Sequence, residues 1–246
     1  MSPSRVIGMN ELRRSFGAVS FGVPFAAFFA VVSWFFCTRC FGGELGAQPL
    51  PAIWGGAAAP GVPFLCAVAT MRAFAGDRAT GAFDLMMSTP VRERDWVMGK
   101  FMAALTVVLL SLAATAVVPL VVLPHFAPEV ESNASALMYV GAFSALALQA
   151  MTWCAAGIWI SAGFRNVAAA GACSALLCGA LPYAACRAAM AWSPALRSVL
   201  DGYPPAVHVM RFSTGLFSTG TIALYVFPSV FFLFAASKTL AMLRTR

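Results

Sequence analysis

Six long stretches of the chain contain no Asp, Glu, Lys or Arg. A helix crosses the hydrocarbon layer of a membrane in about 20 residues, and each stretch is long enough to do so. The stretches lack the alternation of apolar and polar residues that membrane β-barrels need, so helices are favoured over strands. They cover residues 15–38, 45–71, 101–128, 132–164, 166–186 and 212–237. We therefore predict an all-α membrane protein with six transmembrane helices.

The composition supports a membrane location rather than a water-soluble fold. Hydrophobic residues make up 61% of the 246 residues and charged residues 10%, against about 25% charged residues in soluble domains. One water-facing core could not bury this much apolar surface. The net charge of +7 comes from basic residues at the ends of the apolar stretches, where the membrane boundary explains them. We expect contacts with membrane lipid and no nucleic-acid partner.

Prolines and polar residues near the ends of the uncharged stretches make the predicted spans shorter than the stretches themselves. We predict that residues 1–246 form a single transmembrane domain. Placing the amino terminus in the cytoplasm puts 12 of the 16 Lys and Arg residues on the inner side. This bias is expected of a protein of the inner (cytoplasmic) membrane. Both termini and residues 71–95 are then cytoplasmic, and residues 187–211 form an outer segment. The spans are expected at about residues 15–38, 50–71, 96–123, 135–162, 166–186 and 213–237.

The chain lacks the residues that would let it power transport or catalysis alone. No ionisable residue lies near the middle of a span. Ion-coupled carriers usually have such a residue there to bind the coupling ion or a charged substrate, so an ion-coupled carrier is not expected. A phosphate-binding loop would end in Gly-Lys-Ser or Gly-Lys-Thr, but Gly99-Lys100 is followed by Phe101. Neither His125 nor His208 belongs to a His-Glu-x-x-His pattern. We expect no catalytic, cofactor or metal site in this chain, so a partner subunit would have to bind ATP.

Three features within the spans predict how the helices pack. Pro60 and Pro63 interrupt the second span; such kinks are tolerated where neighbouring helices shelter the backbone, so this span is expected in the bundle interior. Gln149 is the only carboxamide deep in a span and is expected to form an interhelical hydrogen bond. Small residues on the fifth span predict close contact with another helix, in the same chain or in a second subunit. They are Ala168, Gly171, Ala172, Ala175 and Gly179.

Residues 71–100 form the most polar stretch and hold nine of the 25 charged residues. On a helical projection, residues 71–88 divide into a polar and an apolar side, which predicts an amphipathic helix at the inner membrane interface. Thr89 is an acceptable N-cap and Pro90 suits a first helical position, so a second helix is expected to start there. We call residues 71–95 the elbow. The apolar side is expected to hold Met71, Phe74, Ala75, Ala82, Leu85 and Met86, and the polar side Arg72, Gly76, Asp77, Thr80, Asp84 and Ser88.

The elbow has two possible roles at the membrane surface. It could be a membrane-anchoring loop, or it could be a docking platform for a cytoplasmic partner. Its polar side mixes Arg with Asp, whereas binding to anionic lipid favours a purely basic face. Mixed charges therefore favour docking to a protein.

The elbow sequence resembles a signature of type-2 ABC exporter permeases. Residues 71–91 read MRAFAGDRATGAFDLMMSTPV and are followed by Gly99-Lys100. That family has an aromatic residue, an acidic and basic cluster, Gly, an acid, an apolar triplet, Pro-Val and a later Gly-Lys. The chain departs from the pattern at Gly76, where an acid is common, and at Ala79, where a second basic residue is common. Within that family the chain resembles the permease group that includes gliding-motility and nitrous-oxide-reductase maturation transporters, and the six-span plan extends the resemblance to nearly the whole chain.

The resemblance implies the permease subunit of an ATP-driven ABC exporter. Such a permease works with a second permease subunit, as a homodimer or heterodimer, and a separate cytoplasmic ABC ATPase subunit binds and hydrolyses ATP. In that family the elbow is the coupling element that sits on the ATPase subunit. Carried over by position, the coupling residues are Phe74, Asp77, Arg78, Gly81, Asp84, Pro90 and Val91.

Two other functions are compatible with the residues. A membrane assembly or scaffold protein without transport activity would need the same bundle and the same elbow. A membrane thiol oxidoreductase could use Cys37 and Cys40, which form a C-x-x-C at the outer end of the first span.

Overall fold

The computed structural model describes residues 3–17, 19–44, 48–122, 135–192 and 205–244. Residues 193–204 of the predicted outer segment lie outside the described residues. The described ranges contain helices and turns and no strand, which confirms the prediction of an all-α fold. The helices are α1 (Pro3–Gly17), α2 (Val19–Arg39), α3 (Leu50–Ala58), α4 (Val62–Thr70), α5 (Ala75–Ala79), α6 (Ala82–Met87), α7 (Glu93–Thr115), α8 (Ala136–Gly163), α9 (Val167–Ser174), α10 (Leu181–Trp192), α11 (Pro205–Ser213) and α12 (Thr219–Arg244). Short π-helical segments follow α2, α7 and α9, at Cys40–Glu44, Val118–Val122 and Ala175–Ala180.

Five helical segments among the described residues are long and apolar enough to cross a membrane, or six if one bent pair counts as a single span. The bent pair consists of Leu50–Ala58 and Val62–Ala79, with an angle of 46° between its two parts. The predicted number of six spans is reached when this pair forms the second span. The other five segments are Gly22–Gly42, Glu93–Val121, Ala136–Gly163, Val167–Cys186 and Thr219–Arg244.

Helix α8 lies at the centre of the bundle and packs against α3, α4, α7, α9, α11 and α12. Glycines let these neighbours approach closely. A Cβ atom on Gly141 would overlap the backbone carbonyl of Phe212 in α11, and one on Gly157 would overlap the hydroxyl of Thr70 in α4. These two glycines therefore set the distance from α8 to two of its neighbours.

The second span is broken inside the bundle, as the two prolines predict. Pro63 has no N–H to donate to the carbonyl of Ala59, four residues earlier. That oxygen accepts hydrogen bonds from Gln149 Nε2 at 2.9 Å and from Tyr183 Oη at 3.3 Å instead. Ala59 is fully buried, so the carbonyl that the proline leaves without a helical donor is sheltered from lipid, whereas Pro60 itself is exposed. The predicted interhelical hydrogen bond of Gln149 is confirmed.

Two glycines of the small-residue stripe on the fifth span contact the second span of the same chain. A Cβ atom on Gly171 would lie 3.1 Å from Met71 Sδ, and one on Gly179 would lie 2.9 Å from the Phe64 ring. These distances leave no room for a larger side chain unless the neighbour moves. At these two positions the stripe therefore serves packing within the chain.

Candidate functional site

The elbow consists of two short helices, α5 and α6, and a connection to α7. Gly81 separates the two helices with φ of 75°, a left-handed conformation that glycine adopts without the steric penalty of other residues. Helix α7 begins at Glu93, with Arg92 as its extended N-cap residue. The prediction that a helix starts at Thr89 is wrong. The Thr89 hydroxyl donates to the carbonyl of Met86 at 2.7 Å, so it satisfies the end of α6 instead.

A serine from the central helix holds the start of the elbow. Ser161 lies in α8 and is fully buried. Its Oγ accepts hydrogen bonds from the backbone N–H groups of Phe74 and Ala75 at 3.1 and 3.2 Å, and it donates to the carbonyl of Met71 at 3.2 Å. The first N–H groups of a helix have no partner within that helix. Ser161 supplies one, and the elbow is thereby attached to the fourth span.

A buried lysine joins the elbow to two further helices. Lys100 lies in α7, and its side chain is 2% exposed. Its ammonium group donates to Glu11 Oε1 of α1 at 2.6 Å and to Asp77 Oδ2 of α5 at 2.7 Å, and it lies 5.2 Å from the centroid of the Phe74 ring. Arg14 of α1 approaches Asp77 at 3.5 Å. Buried charges are tolerated when they are paired in this way. We call Glu11, Arg14, Asp77 and Lys100 the charge cluster.

Two glycines let α1 reach the charge cluster. A Cβ atom on Gly99 of α7 would lie 2.8 Å from Cγ2 of Ile7, and one on Gly8 would lie 3.2 Å from the carbonyl oxygen of Gly99. The backbones of α1 and α7 therefore cross in close contact. Glu11 follows Gly8 by about one helical turn, which brings its carboxylate to Lys100. The Gly-Lys pair thus has a structural role at both positions, because the glycine admits α1 and the lysine binds it.

The last helix contacts the end of the elbow. Arg244, in the final turn of α12, donates through Nη1 to Glu93 Oε1 at 2.7 Å and through Nη2 to the carbonyl of Thr89 at 3.1 Å. Glu93 is the first residue of α7. This contact therefore connects the sixth span to the point where the elbow meets the third span.

The predicted coupling residues divide into a buried and an exposed group. Phe74 and Asp77 are buried, where they contact Lys100. Arg78 is half-buried, and its guanidinium carbon lies 4.6 Å from the centroid of the Phe83 ring. Contact of these residues with an ATPase subunit stays a prediction. Val91 is half-buried, whereas Gly81, Asp84 and Pro90 are exposed.

The predicted division of residues 71–88 into two faces is wrong at two positions. Asp77 is expected on the polar side, but it is buried against Lys100. Leu85 is expected on the apolar side, but it is 74% exposed. The left-handed turn at Gly81 ends α5 before α6 begins, so a single helical projection cannot describe both halves.

The sequence indicated Asp77 and Lys100 but not the other residues that fix the elbow in place, which are Glu11, Ser161 and Arg244. The position of Lys100 could have indicated a buried ion pair, because this charge directly precedes a long stretch of uncharged residues. A charge in that position needs a partner once the span is packed. Nothing in the local sequence distinguishes Glu11, Ser161 or Arg244 from other polar residues near helix ends.

Cys37 of the C-x-x-C lies in the last turn of α2, and Cys40 begins the π-helical segment that follows it. Cys37 is half-buried and Cys40 is buried, and no disulfide joins them. Thiol exchange requires access to the sulfur. Of the two sulfur-bearing side chains only that of Cys37 is partly accessible, and the thiol oxidoreductase stays an untested alternative.

The pattern of the family described as ABC-2 family transporter protein matches residues 10–185 of the chain. The matched range covers more than half of the chain and includes the elbow, the charge cluster and Ser161. The bundle of apolar helices agrees with this match. No curated protein is significantly similar to the chain. The chain belongs to the ABC-2 family of transporter proteins, and it is a multi-pass membrane permease.

Proposed function

We propose that this permease is the membrane subunit of an ABC exporter of the inner membrane and that a separate cytoplasmic ATPase drives it through the elbow. ATP binding would close two ATPase subunits, push the elbow of each of two permease subunits and move the spans between inward-facing and outward-facing arrangements. The attachment of the elbow to α1, α7 and α8 supports this most directly, through the charge cluster and Ser161. A force on the elbow would reach the spans instead of bending a loose loop.

The arrangement of the chain ends supports a cytoplasmic location of the elbow. Glu11 of α1 and Arg244 of α12 both contact residues at the start of α7, so the amino-terminal helix, the elbow and the end of α12 share one end of the bundle. The sequence places most of its Lys and Arg residues at this end. Such a bias is typical of the cytoplasmic side.

The exposed side of the elbow offers a surface to a protein partner. Leu85 is 74% exposed, and Asp84 beside it is exposed as well. Protein interfaces commonly have an apolar centre surrounded by a polar rim. In this proposal Gly81, Asp84, Leu85 and Pro90 contact the ATPase, while Phe74 and Asp77 hold the shape of the elbow from inside.

Replacing Asp84 by Lys should weaken the association with the ATPase without preventing membrane insertion. The new cation would face the group that Asp84 contacts in the partner, and like charges across an interface are unfavourable. We expect a loss of about tenfold or more in the affinity for the ATPase. The measurement is the amount of ATPase that copurifies with the tagged full-length permease, together with its rate of ATP hydrolysis.

The matched control is Lys238→Glu, which reverses an exposed charge on α12, outside the elbow. This variant should retain the ATPase. Undiminished retention by Asp84→Lys at ordinary salt would contradict the docking assignment. A wild-type permease that copurifies with no ATPase activity would contradict the transport proposal and favour a scaffold.

A further inference from the structure

Arg78 of α5 and Arg165, in the connection between α8 and α9, lie close together at the elbow end of the bundle. Helix α5 packs against both α8 and α9, and the positive charge of Arg165 acts on the guanidinium group of Arg78. Ser161, which binds the start of the elbow, precedes Arg165 by four residues, so this attachment keeps the two arginines near each other. We call them the arginine pair. Like charges at short range are unfavourable, so the pair costs stability unless an anion joins it.

Neither member of the arginine pair has an anionic partner in the described part of the chain. The guanidinium carbon of Arg78 lies 4.6 Å from the centroid of the Phe83 ring. Its Nη2 atom is buried and has no hydrogen-bond acceptor among the described residues. Buried donors in folded proteins are normally satisfied, and buried charges are normally paired. The position of Arg78 therefore calls for an acceptor from outside this part of the chain.

The arginine pair is open to solution on one side. Arg78 is half-buried, whereas Arg165 is exposed and lies between two of the segments that can cross a membrane rather than within one. The long side chain of Arg165 is free to move and admit an anion beside Arg78. An anion that enters from this side meets both guanidinium groups.

The surroundings of the arginine pair favour a protein carboxylate over a lipid headgroup. Anionic lipid surfaces select clusters of about four to eight Lys and Arg residues, whereas this site has two arginines and an exposed acid, Asp84, next to Phe83 in the sequence. Guanidinium groups bind a carboxylate through paired hydrogen bonds. Phe83, which Arg78 contacts, lies between Gly81 and Asp84 of the proposed docking surface, so one protein partner can reach that surface and the arginine pair together.

We propose that Arg78 and Arg165 together bind one carboxylate side chain of the ATPase subunit. This inference rests on the proposed function and adds Arg165 to the docking surface. The carboxylate accepts hydrogen bonds from both guanidinium groups and offsets their repulsion. The ATPase then holds the elbow and the connection between the fourth and fifth spans at one point, so its movement displaces these spans together with the elbow.

Replacing Arg165 by Gln separates a role in binding from a role in folding. We expect the affinity of the tagged full-length permease for the ATPase to fall about tenfold, the effect of one close charge pair across an interface. Thermal unfolding of the permease without ATPase should give an unchanged or higher melting temperature, because the substitution removes a like charge from beside Arg78. Lys238→Gln, at an exposed position of α12, is the control and should change neither quantity.

Unchanged affinity for the ATPase in Arg165→Gln would overturn the proposal. A lower melting temperature would also overturn it, because Arg165 would then stabilise the permease itself. Arg78→Gln should weaken binding to a similar extent, and Arg165→Gln decides alone if that variant does not fold. Binding is measured in phosphatidylcholine nanodiscs with and without phosphatidylglycerol. A loss that appears only with phosphatidylglycerol would identify the anion as a lipid headgroup and contradict a protein carboxylate.

A double-mutant cycle identifies the carboxylate. Each exposed Asp or Glu of the copurified ATPase is replaced by Asn or Gln. One of these changes should weaken binding to the wild-type permease about tenfold and have much less effect on the Arg165→Gln permease. If no acidic position of the ATPase behaves in this way, the proposal is wrong.

Asp84→Lys distinguishes this proposal from the proposed function. If the wild type retains the ATPase and Asp84→Lys loses it, while Arg165→Gln retains it fully, only the carboxylate site is wrong. If the wild type retains no ATPase, both the proposed function and the carboxylate site are wrong.

Discussion

At the residue scale, Lys100 shows how a charge is kept where a span begins. A buried ammonium group without partners would be strongly unfavourable. Here Glu11 and Asp77 lie within hydrogen-bonding distance of it, and each carboxylate comes from a different helix. The same contacts that make the charge tolerable therefore also fix α1 and α5 against α7.

Replacing Lys100 by Met should lower the free energy of unfolding by about 3–5 kcal/mol, because it removes the buried cation that two neighbouring carboxylates share. Thermal unfolding in detergent measures the change. Lys238→Met, at an exposed position of α12, is the control and should have little effect. Adding Glu11→Gln and Asp77→Asn to the first variant should restore part of the stability. Equal stability of the two lysine variants would show that the charge cluster does not hold the helices.

At the element scale, the elbow consists of two short helices with different buried faces and not of one continuous amphipathic helix. Helix α5 turns Asp77 towards the interior, and α6 presents Asp84 and Leu85 outward. The turn between them depends on the positive φ of Gly81. A residue with a Cβ atom at this turn would be strained.

Replacing Gly81 by Ala should destabilise the protein by about 1–2 kcal/mol, the cost of a left-handed conformation for a residue with a Cβ atom. Gly76→Ala is the matched control, because a Cβ atom there would meet Cβ of Arg72 at 3.4 Å, an ordinary contact. Within α5 this alanine should be neutral or stabilising by up to about 1 kcal/mol. Thermal unfolding of the two variants compares them, and a change of the same sign in both would contradict the role of the turn.

At the scale of the whole molecule, the elbow is attached to the span that follows it and to two spans that are distant in sequence. Ser161 links its start to α8, Lys100 links its middle to α7, and Arg244 links its end to α12. A displacement of the elbow would therefore be shared by several spans at once. This is the mechanical property that the proposed coupling requires.

Replacing Arg244 by Glu should reduce the permease-dependent stimulation of ATP hydrolysis and change stability little. The Arg244–Glu93 pair is partly exposed, so it contributes at most about 1 kcal/mol. The charge swap Arg244→Glu with Glu93→Arg should recover part of the stimulation in proteoliposomes. Wild-type stimulation in the single variant would mean that the sixth span is not coupled through this contact.

The sequence by itself determined the membrane-spanning architecture and the interrupted second span. Long uncharged stretches must be helical in lipid because every backbone polar group needs a partner within the protein. The break at Pro60 and Pro63 follows from their missing N–H groups, and the carboxamide of Gln149 deep in a span needs a partner there. All these signals come from what a residue requires of its immediate surroundings.

Only the tertiary structure decided which polar residues of the elbow face inward. Lys100 and Glu11 are 89 residues apart in the chain, Phe74 and Ser161 are 87 apart, and Arg244 and Glu93 are 151 apart. A helical projection sorts residues by polarity alone and therefore places the carboxylate of Asp77 towards water. It does not include Lys100 of α7, which is the partner that makes burial of this carboxylate possible. The burial of a charge depends on a partner brought by another helix, and the local sequence does not record which helix that is.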